Sequence, residues 1–238
     1  MIDAVTDDQL ERQYLEDRRP RPWLFVNMVS SVDGGTQVDG RSSSIGDHQD
    51  TVVFRALRSV ADVVLVAAAT VRAEGYGAAT LPDHLVRWRR AENMSDNPRI
   101  AIVSRSLDLD LDPFGSDPPI VITSESAPGD RRRHMSEWTD VLIAGQDRVD
   151  LSAAVRDLHE RGHGRILCEG GPSLNGQLAR GDLVDEWCLT ISPVLLSGDS
   201  KRILSGPALE KGHRVVLDRV IRGEQSIFTR WLRPPGSE

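Results

Sequence analysis

Residues Arg165–Asn175 read RILCEGGPSLN. A short apolar run ends on Cys168, and a carboxylate, two glycines, a proline and a serine follow. An apolar run of this length bounded by glycine reads as a buried strand. Pro172 suits the first turn of a helix, and Gly181 suits its end. A strand that runs straight into a helix is the joint from which α/β sheets are built. The turn Gly170–Gly171–Pro172–Ser173 has two readings. It is either a tight connector or a cradle, in which glycines admit a phosphate to the backbone and a helix N-terminus holds the anion. Glu169 stands at the edge of that turn.

Working outward, Trp23–Val29, Val63–Ala69, Ile100–Ser104, Ile120–Thr123, Val141–Ala144 and Ile166–Cys168 are brief, nearly continuous apolar runs. That pattern suits strands covered on both faces. Asp47–Val60 places Val52, Val53, Ala56, Leu57 and Val60 on one helical stripe. Asp150 caps a second predicted helix bearing Leu151, Val155 and Leu158. From residue 187 the pattern changes: Trp187, Leu189 and Ile191 alternate with Cys188, Thr190 and Ser192. Arg214–Val220 and Ser226–Leu232 read as a hairpin around Arg222–Gly223–Glu224. The expected architecture is α/β: a mostly parallel sheet flanked by helices, with an antiparallel C-terminal edge. Residues 1–20 form an expected N-terminal arm, helical around Asp7–Asp17, and 21–238 a single domain.

The 238 residues carry a net charge of −7, which opposes a nucleic-acid surface. Arg131–Arg133, the one basic run, reads as a solvated loop. Cys168 and Cys188 lie in apolar runs, as reduced, buried thiols do. The polar N-terminus is no signal peptide, and no stretch is long and apolar enough to span a bilayer. A cytoplasmic protein without nucleic-acid or membrane partners is expected. The six histidines form no metal motif, and HExxH, P-loop, GxSxG and zinc-deaminase patterns are absent, so no metal is expected.

Four clusters carry chemistry. Asn27 and Ser30–Gly35 (SSVDGG) close the first strand, followed by the polar loop Asp39–Gly46 and a helix with Arg55 and Arg58. Asp33 is either an Asx-turn residue or an acid at a strand end. Ala67–Thr70 with Arg72 and Glu74 end the second strand. Ser104–Arg105–Ser106 end the third, with a guanidinium of the kind that recognises a ribose 2′-phosphate. The fourth is Glu169–Ser173. The dinucleotide fingerprint GxGxxG is missing, so any dinucleotide binds by another scheme.

In this order, VNMVSSVDGG, SSSIG, RALRSVADVVLVAAATVRAEGYG, VSRS and ILCEGGPSLNGQLARGDLVDEWCLTISPVLLSG resemble the reductase family of riboflavin biosynthesis, in its two-domain bacterial and stand-alone archaeal forms. The resemblance implies a dihydrofolate-reductase-like α/β/α fold and NADPH-dependent reduction of a ribosylaminopyrimidine 5′-phosphate to its ribitylamino product. It implies that Thr70 and Glu74 touch the cofactor, that Ser104, Arg105 and Ser106 hold its adenosine end and 2′-phosphate, and that Val149 lines its path. Gly170, Gly171, Pro172 and Ser173 would cradle the pyrophosphate. Asn27, Ser31, Asp33, Ser44 and Arg58 would face the substrate, Arg58 on its phosphate. Asp33 and Glu169 are the implied catalytic carboxylates. The family also usually dimerises, and Asp185–Leu196 is the run expected to pair two subunits. Two departures stand out. Asn27 replaces a lysine common in bacterial members, and RAEGYG replaces an acidic ADDP run. A dihydrofolate or pterin reductase and a non-catalytic NADP-binding sensor are the alternative readings.

Overall fold

Side chains on neighbouring strand positions enter two different cores, which is why the strands show no polar alternation. A computed structural model describes residues 3–236, except 18, 39 and 43. Nine strands form one sheet among the described residues: β1 (Trp23–Ser31), β2 (Val63–Ala67), β3 (Arg99–Val103), β4 (Ile120–Thr123), β5 (Asp140–Ile143), β6 (Arg165–Cys168), β7 (Glu186–Ser192), β8 (Val216–Arg222) and β9 (Ile227–Leu232). Their order is β5-β4-β3-β2-β6-β1-β7-β9-β8. The first seven run parallel, and β9 and β8 pair antiparallel at one end.

On one face Phe25, Val64, Val66, Ile102 and Leu167 meet Leu10, Val53, Leu57 and Val60. Those last residues belong to α1 (Asp7–Leu15) and α2 (His48–Val60). On the other face Leu24, Val26, Leu65 and Ile166 meet Leu158 and Leu174. These come from α6 (Leu151–Glu160) and α7 (Pro172–Arg180). The alternation follows from the two-residue period of a strand, which sends successive side chains to opposite faces. The result is the three-layer α/β/α arrangement implied by the resemblance.

The helix ends follow from local chemistry. Thr6 and Gln9 make a reciprocal capping box on α1. Asp47 accepts from the Asp50 amide, and Asp150 from the Ala153 amide, each capping its helix. Three expectations change. The second strand stops at Ala67, because Ala68–Glu74 form helix α3, alanine being the best helix former. Arg131–Arg133 lie on helix α5 (Gly129–Ser136) rather than in a loop, anchored by buried Met135. Asp185–Leu196 is no exposed edge, since β7 sits between β1 and β9, and the outer strand is β8.

Two buried charges tie distant segments together. Glu186 of β7 is fully buried and accepts hydrogen bonds from Arg19, Arg230 and the Trp23 indole. It thereby pins residues beyond α1 against β9. Arg89 of α4 (Asp83–Ala91) is also fully buried. Its guanidinium donates to the carbonyls of Ser59 at 2.8 Å, Ala61 at 2.6 Å and Arg58 at 3.3 Å, the last turn of α2. Burial lowers its pKa to about 10. Four C-terminal carbonyls of any helix lack internal partners, and here Arg89 supplies a donor to those of Arg58 and Ser59 and to the cap residue Ala61. Arg89→Leu removes these donors and leaves the carbonyls buried. Urea unfolding is expected to show a loss of roughly 2–4 kcal/mol; a loss below 1 kcal/mol would mean that water replaces the guanidinium.

Candidate functional site

The carboxyl ends of the parallel strands share one edge of the sheet, where ligands of open α/β sheets collect. At that edge, over β1, β6 and β2, a cleft of about 250 Å³ opens. Its wall includes Asn27 and Met28 from β1, Asp50 and Phe54 from α2, and Ala67, Thr70, Glu74 and Tyr76 from α3 and its exit. Glu169, Gly171, Pro172 and Ser173 line it from the end of β6, and Lys201 from the loop after β7.

The glycine turn has the construction of a cradle. Gly170 takes φ +85°, which L side chains rarely adopt. A Cβ on Gly171 would come within 2.8 Å of the Thr70 hydroxyl, so the glycine lets β2 and β6 exits meet. The Gly170 carbonyl accepts from the Ala67 amide at 2.8 Å, closing the contact. Helix α7 begins with Pro172 and has no side-chain cap. Its open N-terminus faces the cleft, and such an end favours an anion. These residues therefore fit a dinucleotide pyrophosphate.

Glu169 is the most constrained group in the cleft. Its two oxygens accept from Arg58 Nε and Nη2, each at 2.7 Å, and Tyr76 donates its hydroxyl to the same carboxylate at 2.7 Å. The Arg58 guanidinium lies 4.1 Å from the Phe54 ring centre and 5.4 Å from that of Tyr76. The carboxylate partner holds Arg58 charged despite burial, and burial with the adjoining charge raises the Tyr76 phenol. Arg58 was expected on a substrate phosphate. Its fork is instead engaged by Glu169, as a bidentate pair.

The other expected residues divide cleanly. Asn27 is buried in the cleft wall, and its Oδ1 has no hydrogen-bond partner. Thr70 and Glu74 also line the cleft, but Glu74 accepts from the Ser42 amide and hydroxyl at 2.8 and 3.0 Å, holding the polar loop. Ser42 reaches the cleft, whereas Ser44 is exposed. Asp39 and Ser43 of that loop lie outside the described residues. Ser31 is buried beside the cleft, donating to Asp33 and accepting from the Gly35 amide. Asp33 is exposed and outside the cleft wall. It accepts from Ser31 and from the Leu196 and Ser197 amides, and these bonds lower its pKa to about 2. A carboxyl so stabilised as the anion cannot donate a proton at neutral pH.

Ser104, Arg105 and Ser106 form a separate turn at the end of β3. Ser104 is buried and accepts from the Leu107 amide, while Arg131 of α5 donates to the Ser106 carbonyl at 3.0 Å. Arg105 is exposed and enters no ion pair among the described residues. Val149 packs on the core beneath α6 rather than on the cleft. Cleft residues outside the sequence expectation include Asp50, Tyr76 and Lys201. Burial raises the Asp50 carboxyl above its ordinary range. Its position three residues past the capping Asp47, on the first turn of α2, was the available signal. Among the described residues no cluster could hold a metal ion, and no helix is long and apolar enough to cross a membrane.

Comparison with known proteins places the chain among relatives. A 2,5-diamino-6-ribosylamino-4(3H)-pyrimidinone 5′-phosphate reductase of Archaeoglobus fulgidus is 29% identical over 82% of this chain and 91% of its own length. The protein of that name from Aquifex aeolicus is 28% identical over 89% of this chain and 96% of its own. A pyrimidine reductase-like protein of Corynebacterium diphtheriae superposes with a TM-score of 0.84 at 26% identity, covering 96% of this chain and 98% of the other. Residues 22–227 match the model of the RibD C-terminal domain. The chain is a member of the RibD C-terminal domain family and an oxidoreductase.

Proposed function

We propose that the protein reduces a ribosylaminopyrimidine 5′-phosphate to the ribitylamino compound, with NADPH as reductant. The observation that carries the reading is a single cleft that joins the uncapped N-terminus of α7 to a polar wall of Asn27, Asp50 and Glu169. Gly170–Ser173 and Thr70 would hold the pyrophosphate of a nicotinamide dinucleotide and Arg105 its 2′-phosphate; when bound, that group would supply the hydride for C1′ of the ring-opened imine, and a proton at nitrogen would complete the amine. The fixed Glu169 carboxylate stabilises positive charge on the protonated imine, since both its oxygens are already oriented. Asp50 is the proton donor in this reading, because burial shifts its carboxyl toward the protonated form. Asn27 offers its free Oδ1 to a substrate N–H. A pterin or dihydrofolate carries the same amino-pyrimidine edge, and the Asp50 and Glu74 carboxylates suit that edge equally; one assay with both substrates separates the two readings.

We further infer a homodimer formed through the outer strand. Val216, Leu217 and Val220 of β8 are 48–56% exposed, and an exposed apolar edge strand seeks a partner.

Asp50→Asn is expected to lower kcat by about 10²–10³-fold with little change in NADPH affinity. A donor must be protonated, so the wild-type rate falls as pH rises through the raised Asp50 pKa, and stopped-flow pH profiles of the variant should lose that limb. Arg105→Ala is expected to weaken NADPH by roughly 10–100-fold and NADH hardly at all. Equal losses in fluorescence titrations would remove the 2′-phosphate role. Val220→Asp is expected to give a monomer in light scattering; an unchanged mass would exclude this strand as the interface.

A further inference from the structure

We propose that Lys201 is the cation that receives a phosphate group in this cleft, a role the sequence motifs assign to Arg58. The inference rests on reading the cleft as a site for phosphorylated ligands. Among the described residues that line it, Asp50, Glu74 and Glu169 are acidic and Lys201 alone is basic. A phosphate dianion in a cleft whose remaining titratable side chains are acidic needs a positive partner. Arg58 is not that partner. Two of its nitrogens are bonded to Glu169 and its plane is sandwiched near Phe54 and Tyr76. Drawing it onto a ligand would leave Glu169 buried without its countercharge, a costly exchange.

The position of Lys201 is built, although its side chain is exposed. The Lys201 carbonyl accepts from the Thr36 amide at 2.9 Å and the Thr36 hydroxyl at 2.8 Å. Ser200 accepts from the Gln37 amide at 3.3 Å and donates to the Gln37 carbonyl at 2.9 Å. Further back, the Leu196 and Ser197 amides donate to Asp33. Beyond Lys201, the Ile203 carbonyl accepts from Asn175 Nδ2 at 3.1 Å, and the Ser205 amide donates to the Pro172 carbonyl at 3.0 Å. Lys201 thus stands on a strap fastened to the β1 loop on one side and to the start of α7 on the other. Its ammonium enters no ion pair among the described residues, and a compact, mobile ammonium is suited to a phosphate.

Two phosphates could meet this ammonium, the substrate's 5′-phosphate and the dinucleotide's pyrophosphate. The recognition chemistry is the same for both. Calorimetry on the intact protein with ribose 5-phosphate, ribose and NADPH separates them. Lys201→Gln is expected to weaken one of the phosphorylated ligands by roughly 10–100-fold, leave ribose unaffected and keep the wild-type circular dichroism. Lys201→Arg is expected to recover most of the loss. A loss confined to ribose 5-phosphate assigns Lys201 to the substrate, and one confined to NADPH assigns it to the dinucleotide. Unchanged affinity for both, or a wild-type protein that binds neither, overturns the proposal. A wild-type protein that binds ribose 5-phosphate through Lys201, yet oxidises no NADPH with the ribosylaminopyrimidine, upholds Lys201 and removes the proposed substrate instead.

Discussion

The pairing of Glu169 with Arg58 governs how this cleft is charged and how its wall is held. A carboxylate at the end of a central strand is expensive to bury alone, and a bidentate guanidinium on the neighbouring helix offsets that expense. The pair also fastens α2 to β6 on the side of the cleft. Arg89 grips the last carbonyls of the same helix, that of Arg58 included. Arg58 is therefore fixed through its head and its backbone together. Tyr76 completes the arrangement by donating to the carboxylate. A third polar contact leaves Glu169 one orientation, so it acts as a fixed charge rather than a mobile acid.

The sheet was largely legible because its strands are continuous apolar runs, and only doubly covered strands can be that. Asp150 gave a helix start correctly for a local reason: a short carboxylate reaches the third amide. What local pattern could not supply was the identity of the outer strand. β7 alternates as a half-covered strand does, yet its polar side chains Thr190 and Ser192 are buried. Alternation reports polarity on one face, not exposure, and the two differ where a buried hydroxyl finds a partner, as Ser192 does in the Ile45 carbonyl. Likewise α4 carries Asp83, Arg87, Arg89 and Arg90, and one of its two buried side chains is an arginine.

The site was half legible. The glycine turn, Asn27 and Thr70 were readable because each serves its purpose within its own turn or strand. Asp33, Ser31 and Ser44 stand near the cleft in sequence but turn into loop construction or solvent, a matter of side-chain direction that a motif does not carry. Asp50 and Lys201 are brought in by folding, Asp50 from a helix legible only through its apolar stripe and Lys201 from a loop without a recognisable pattern. One compositional hint existed for the latter. Lysine occurs only at 201 and 211 in a chain whose other cations are arginines.

The buried Glu186 has a consequence for how the chain is assembled. Its partners Arg19 and Arg230 are separated from it by 167 and 44 residues, so the carboxylate is fully compensated only after β9 has been made. Before that, a sheet closing around Glu186 would enclose a charge with an incomplete set of donors. Closure of β1, β7 and β9 is thus coupled into one late, long-range step, of the kind that slows folding. During synthesis the segment around Arg19 waits in solvent until the opposite end of the polypeptide arrives.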